Sequence, residues 1–126
     1  MIPPAKICVL GTGAIGGLIG GALADQGHDL TFVDRGERLD ALRTHGMKIA
    51  GLQNESRIIT RAKFVDVDSI GDKFDFVFLA VKAHQISTIS SCFRRILGDD
   101  TPLLTLQNGI PWWYFRSVGA TWTALP

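Results

Sequence analysis

Apolar positions along this chain come in two alternating kinds. Short, nearly unbroken runs lie at Ile7–Leu10, within Asp75–Val81 (DFVFLAV) and over Pro102–Leu106. Such runs suit parallel strands covered on both faces. Between them the pattern changes to helical spacing. A helix is predicted from near Ala14 to Gln26, with Gly27 as its left-handed stop. Asp29–Asp34 alternates as a second strand. Leu39 and Leu42 stand one helical turn apart within Glu37–His45, and Gly46 closes that helix. Met47–Ala50 and Arg57–Thr60 read as short strands of a hairpin turning through Gly51-Leu52-Gln53-Asn54. Residues 61–73 are open between a strand at Phe64-Val65 and a helical turn from Val67 to Ile70. His84–Leu97 reads as one helix with an apolar stripe of Ile86, Ile89, Phe93, Ile96 and Leu97, ended by Gly98.

Strands alternating with helices imply a doubly wound, largely parallel α/β sheet with right-handed crossovers. Residues 6–34 set a strand, a glycine loop, a helix, a second strand and the terminal acid Asp34 in order. That is the full context of the G-x-G-x-x-G dinucleotide fingerprint of the Rossmann-type fold. Gly11 permits the tight turn out of the strand, Gly13 lets the backbone approach a pyrophosphate, and Gly16 lets helix and strand pack closely. The helix starting at Ala14 aims its unpaired N–H groups at the diphosphate. Ligands of such sheets bind beyond the carboxyl ends of the strands. The rule selects four places: the Gly11–Gly16 loop, Asp34-Arg35, Val81-Lys82 and Gln107-Asn108.

Bulk properties narrow the classes further. The 126 residues suit one domain with a proper core. Ile7–Ala24 holds no charge and approaches the length of a membrane span, and Gly16-x-x-x-Gly20 and Gly17-x-x-x-Gly21 mimic a transmembrane contact motif. Six glycines interrupt that run, its flanks add no apolar length, and only Lys6 imitates a signal's basic region. Membrane insertion and export are therefore set aside. A net charge of +1 with dispersed basic residues gives no case for a nucleic acid or anionic-membrane partner. Cys8 and Cys92 form no C-x-x-C pair and read as reduced core thiols of a cytoplasmic protein. His28, His45 and His84 share no metal-ligand spacing, so no metal is expected.

The nucleotide type is a contest of charges. Asp34 ends the second strand where an acid accepts the hydrogens of a ribose 2′-OH, which favours NAD. Arg35 follows, Arg38 stands one helical turn on, and Lys82 ends another strand. That cluster suits a 2′-phosphate. One carboxylate about 4 Å from a phosphate charge costs on the order of 4 kcal/mol at surface-like dielectric. Two or three cations at similar range outweigh it if Asp34 turns away. NADP (as NADPH) is the expected cofactor and NAD the runner-up.

With the glycine loop, GERLDALRTHG at 36–46, VKAHQ at 81–85 and LQNGIPWW at 106–113 in view, the chain resembles the ketopantoate reductase (2-dehydropantoate 2-reductase) family. The likeness runs to about Phe115 and covers only the amino-terminal, NADP-binding domain of such enzymes. It implies an NADP-dependent oxidoreductase that reduces a 2-oxoacid, ketopantoate to pantoate on the route to pantothenate. It also implies roles by position. Gly11, Gly13, Ala14, Ile15 and Gly16 would hold the pyrophosphate, and Arg35 and Lys82 would face the 2′-phosphate. Gln85 would sit near the adenosine, and Asn108 beside the nicotinamide ribose and substrate. The residues alone leave Gln85 open as a solvent-facing helix position and Asn108-Gly109 as a turn.

Members of that family continue into a helical second domain carrying the general-acid lysine. No such lysine is identified in this chain, and the expectation is that it supplies the cofactor-binding half only. Residues 1–115 are expected to form the dinucleotide-binding domain and 116–126 an irregular tail, read as a truncated end. Trp112, Trp113, Tyr114 and Phe115 would either close the local core or form an apolar patch for a second domain, a partner or a homo-oligomer. The rival reading is a truncated or stand-alone dinucleotide-binding module without catalysis of its own.

Overall fold

A computed structural model describes residues 3–50 and 56–106. Five strands form one wholly parallel sheet: β1 (Lys6–Leu10), β2 (Asp29–Asp34), β5 (Lys63–Asp66), β6 (Phe76–Leu79) and β7 (Leu103–Thr105). Their spatial order is β5-β2-β1-β6-β7. The chain builds outward from β1 to β5, then crosses back to β6. The strand order thus reverses beside β1, the position at which doubly wound sheets open a ligand crevice. Between β2 and β5 lie α2 (Gly36–His45) and a separate antiparallel pair, β3 (Met47–Ala50) and β4 (Ser56–Ile59). The predicted turn at Gly51–Asn54 lies outside the described residues.

The period-2 alternation of β1 explains why the sheet is buried on both sides. Ile7 and Val9 point into a core with Leu30, Phe32, Met47 and Ile59. Cys8 and Leu10 point the other way, into a core with Val77, Leu79, Ile86, Ile89, Cys92 and Ile96. On the first face α1 (Ala14–Asp25) carries two stripes of glycine. A Cβ on Gly20 would run into the Phe32 ring, and one on Gly16 would stand 2.5 Å from the Gly11 carbonyl oxygen. A Cβ on Gly21 would strike Ile49, and one on Gly17 would lie 3.3 Å from Met47 Sδ. One stripe therefore admits the sheet and the other admits the hairpin. The paired G-x-x-x-G spacing here serves packing of the helix on the sheet and the hairpin, and among the described residues no helix is long and apolar enough to cross a membrane.

Residues 61–73 resolve as the edge strand β5, followed by a turn in which Ser69 and Ile70 N–H donate to the Asp66 carbonyl. One expectation is corrected. The stretch 84–97 is not a single helix but a chain of short pieces: a 3-10 turn at Ala83–Gln85, α3 (Ile86–Ile89), a second 3-10 turn at Ser90–Cys92, and α4 (Phe93–Ile96). Two causes are visible. The Thr88 and Ser90 hydroxyls donate to the Gln85 and Ser87 carbonyls, competing with regular helical bonding. The buried residues Ile86, Ile89 and Cys92 repeat every three positions, which matches three residues per turn better than 3.6. Nor does Gly98 end the segment. Leu97 is already extended and bridges to Phe74, while Lys73 Nζ donates to the Arg94 and Leu97 carbonyls.

Candidate functional site

The carboxyl ends of β1, β2 and β6 open on one side of the sheet. At β1 the chain turns through Gly11, whose φ of +100° is a left-handed conformation natural to glycine. A Cβ there would also stand 2.8 Å from Val81. The Gly11 N–H donates to the Val33 carbonyl at 3.0 Å, tying the loop to β2. Gly13 precedes α1 with no side chain capping the helix. A Cβ built on Gly13 meets nothing within 4 Å. The first-turn N–H groups have no partner inside the helix and face a cleft lined by Gly13, Ala14 and Ile15.

That cleft measures about 840 Å³. Beyond the loop it is lined by Asp34 and Arg38, by Val81, Lys82, His84 and Gln85 after β6, and by Leu106 after β7. Three of the four strand-end positions read from the sequence thus meet at one opening. Leu106 leads toward the fourth, but Gln107 and Asn108 lie outside the described residues, as do Trp112, Trp113, Tyr114 and Phe115. Gly16 does not line the cleft. It is buried behind it, where helix and strand touch.

Polar contacts refine each position. Asp34 accepts the Thr12 hydroxyl on Oδ2 and the Arg35 N–H on Oδ1 at 2.8 Å. The Arg35 guanidinium donates through Nη2 to the Thr88 carbonyl at 3.1 Å, bridging the end of β2 to α3. Beside it lies a smaller cavity of about 110 Å³, lined in part by Asp34, Arg35, Gln85 and Thr88. Gln85 is exposed, and its Oε1 accepts the Lys82 N–H at 3.1 Å, so its side chain closes the turn after β6. No described residue hydrogen-bonds or pairs with the side chain of Arg38 or Lys82. Among the described residues the opening therefore offers Arg38 and Lys82 as uncommitted cations and Asp34 as a carboxylate already supplied with donors, whereas the partly committed Arg35 lines the smaller cavity beside it.

Sequence reasoning missed Thr12, His84 and Leu106 as cleft residues. A hydroxyl between two fingerprint glycines was the available signal for Thr12, because that residue stands opposite the end of the second strand. His84 lies within the 3-10 turn Ala83–Gln85, whose shape the single-helix reading did not anticipate. Among the described residues no group of three His, Cys, Asp or Glu side chains is placed to hold a metal ion.

The sequence profile of the family described as Ketopantoate reductase PanE/ApbA matches residues 7–111. A 2-dehydropantoate 2-reductase from Mesorhizobium japonicum is 40% identical over 115 residues, which cover 90% of this chain and 35% of that protein. Another from Pyrococcus horikoshii is 41% identical over 106 residues, covering 83% of this chain and 33% of that one. The crystal structure of 2-dehydropantoate 2-reductase from Geobacter metallireducens is similar with a TM-score of 0.75 at 26% identity, over 90% of this chain and 38% of that one. The chain spans about a third of the length of the curated relatives it matches.

Proposed function

The chain belongs to the ketopantoate reductase family, and from that premise we propose that it supplies the NADPH-binding part of a 2-oxoacid reductase. Its substrate is 2-dehydropantoate, the compound in the relatives' names. One observation carries the reading: the glycine loop, the end of β2 and the turn after β6 line a single cleft. Its volume lies within the range usual for small-molecule and cofactor sites.

The residues present fit a dinucleotide. Gly13 leaves the space a Cβ would fill, and the N–H groups at the start of α1 suit a diphosphate by partial charge and by hydrogen bonding. Gly11 and Gly16 keep the loop and helix close to the sheet, while Ala14 and Ile15 form the rim. Arg35, Arg38 and Lys82 supply positive charge for a 2′-phosphate, and Gln85 borders the adenosine side. Asn108, following β7, is assigned to the nicotinamide ribose and substrate. Bound NADPH supplies the hydride. The protein's share is to bind it, orient it and exclude water. The proton for the developing alkoxide is assigned to no residue of this chain.

A calorimetric titration with NADPH and with NADH tests the reading. NADPH binds more tightly, and Arg35→Ala weakens it by about tenfold, near 1.4 kcal/mol, with a smaller effect on NADH. A preference for NADH would overturn the assignment of the cations and make Asp34 the ribose ligand. The rival reading is a dinucleotide-binding module without chemistry of its own. It predicts NADPH binding with no 2-dehydropantoate-dependent NADPH oxidation.

A further inference from the structure

Thr12 lies half-buried between the first two glycines of the loop, and Asp34 lies half-buried across from it at the end of β2. A threonine hydroxyl has one hydrogen to give, and Thr12 gives it to Asp34 Oδ2. The second oxygen, Oδ1, takes the Arg35 N–H. Donors from both sides thus hold the one carboxylate that lines the cleft among the described residues. Neither bond is needed to form the glycine turn, which is already secured by Gly11 and its bond to Val33.

We infer that Thr12 is a positioning residue that sets the nucleotide preference of this cleft. By engaging Asp34 at the glycine loop, it withholds the carboxylate from the ribose 2′-OH that a strand-end acid otherwise accepts. It also offsets the negative charge that would oppose a 2′-phosphate. The 2′-substituent is then left to Arg38 and Lys82, which no described residue engages, and to the N–H groups that Arg35 has to spare. The inference rests on the NADPH reading above and adds the residue that makes a strand-end aspartate compatible with it. Valine at position 12 keeps the branched shape and loses the donor. Serine keeps the donor.

The test is the ratio of NADH to NADPH dissociation constants, measured on the whole 126-residue chain and its variants. Thr12→Val lowers the ratio at least fivefold, and Thr12→Ser holds it within twofold of the parent. In an Asp34→Asn background, Thr12→Val changes it by less than twofold, because no charge remains to be held. Thr12→Ala carries the same prediction as Thr12→Val and replaces it if thermal unfolding shows that valine disrupts the fold. An unchanged ratio in Thr12→Val or Thr12→Ala, or an equal shift in the Asp34→Asn background, overturns the inference. A parent chain that prefers NADH overturns the NADPH reading alone, and the tether then stands only if Thr12→Val moves the ratio further toward NADH. A parent chain that binds neither nucleotide overturns both.

Discussion

Gly13 and Gly16 belong to the same motif but answer to different demands. Gly13 has φ −69° and an empty volume where a Cβ would stand. Alanine there meets no steric objection and restricts the unfolded chain. Gly13→Ala is expected to leave stability unchanged or raise it by up to about 1 kcal/mol, while weakening dinucleotide binding. Gly16 faces a backbone oxygen at 2.5 Å and the Ala80 Cβ at 2.9 Å. Backbone cannot swing aside as a flexible side chain does, so Gly16→Ala is expected to cost about 1–3 kcal/mol. Urea unfolding and nucleotide titration of both variants separate the two roles. Equal loss of stability in both would refute the distinction.

Among the elements, the layer over β1 and β6 shows how a broken helix is held in place. Its pieces are too short to persist by helical bonding alone, and three long side chains hold them by their heads. Arg35 reaches the Thr88 carbonyl, Lys73 takes the carbonyls at the end of α4, and Arg95 donates to Val67 and Asp68 at 2.9 Å each. The Arg95 fork joins α4 to the turn after β5, elements far apart in sequence. Arg95→Ala is expected to lower stability by about 1–2 kcal/mol, read as a lower urea midpoint with an unchanged slope. The apolar stripe of this segment was legible in the sequence. Its 3-10 interruptions were not, because they depend on which hydroxyls turn back onto their own backbone.

At the scale of the whole molecule, the described residues form two cores on opposite faces of the five-stranded sheet, and the two thiols report on whether the layers stay closed. Cys8 on β1 and Cys92 beneath the helical layer share one core and are both fully buried. Burial pushes both above the ordinary thiol value of 9.0. Repulsion from Cys92 adds to the rise at Cys8, whereas Arg95 and a backbone hydrogen bond pull Cys92 partly back. Above about pH 9 the unfolded chain releases thiol protons that the folded chain keeps, so the unfolded state then binds fewer protons. Stability is expected to fall as pH rises past 9, by at most about 1.4 kcal/mol per pH unit for each thiol. Urea midpoints on either side of that pH measure the decline, and Cys8→Ala should reduce it. In native protein, a thiol reagent should label both cysteines only at the rate of global opening.

By itself the chain's sequence determined the alternation of strands and helices, the fingerprint loop, and the strand ends from which a cleft had to be built. These follow from local rules: the periods of strand and helix, the turns that glycine permits, and the burial of parallel strands on both faces. Tertiary structure decided what the strand ends do for one another. Asp34 meets Thr12 across 22 positions, Arg35 meets Thr88 across 53, and Gln85 turns back to Lys82 instead of outward. The two stripes of glycine on α1 acquired separate partners only once the sheet and the hairpin stood on different sides of that helix. A side chain's type and local spacing state what it can bond. Only the packed fold sets which groups lie within the roughly 3 Å that a hydrogen bond requires.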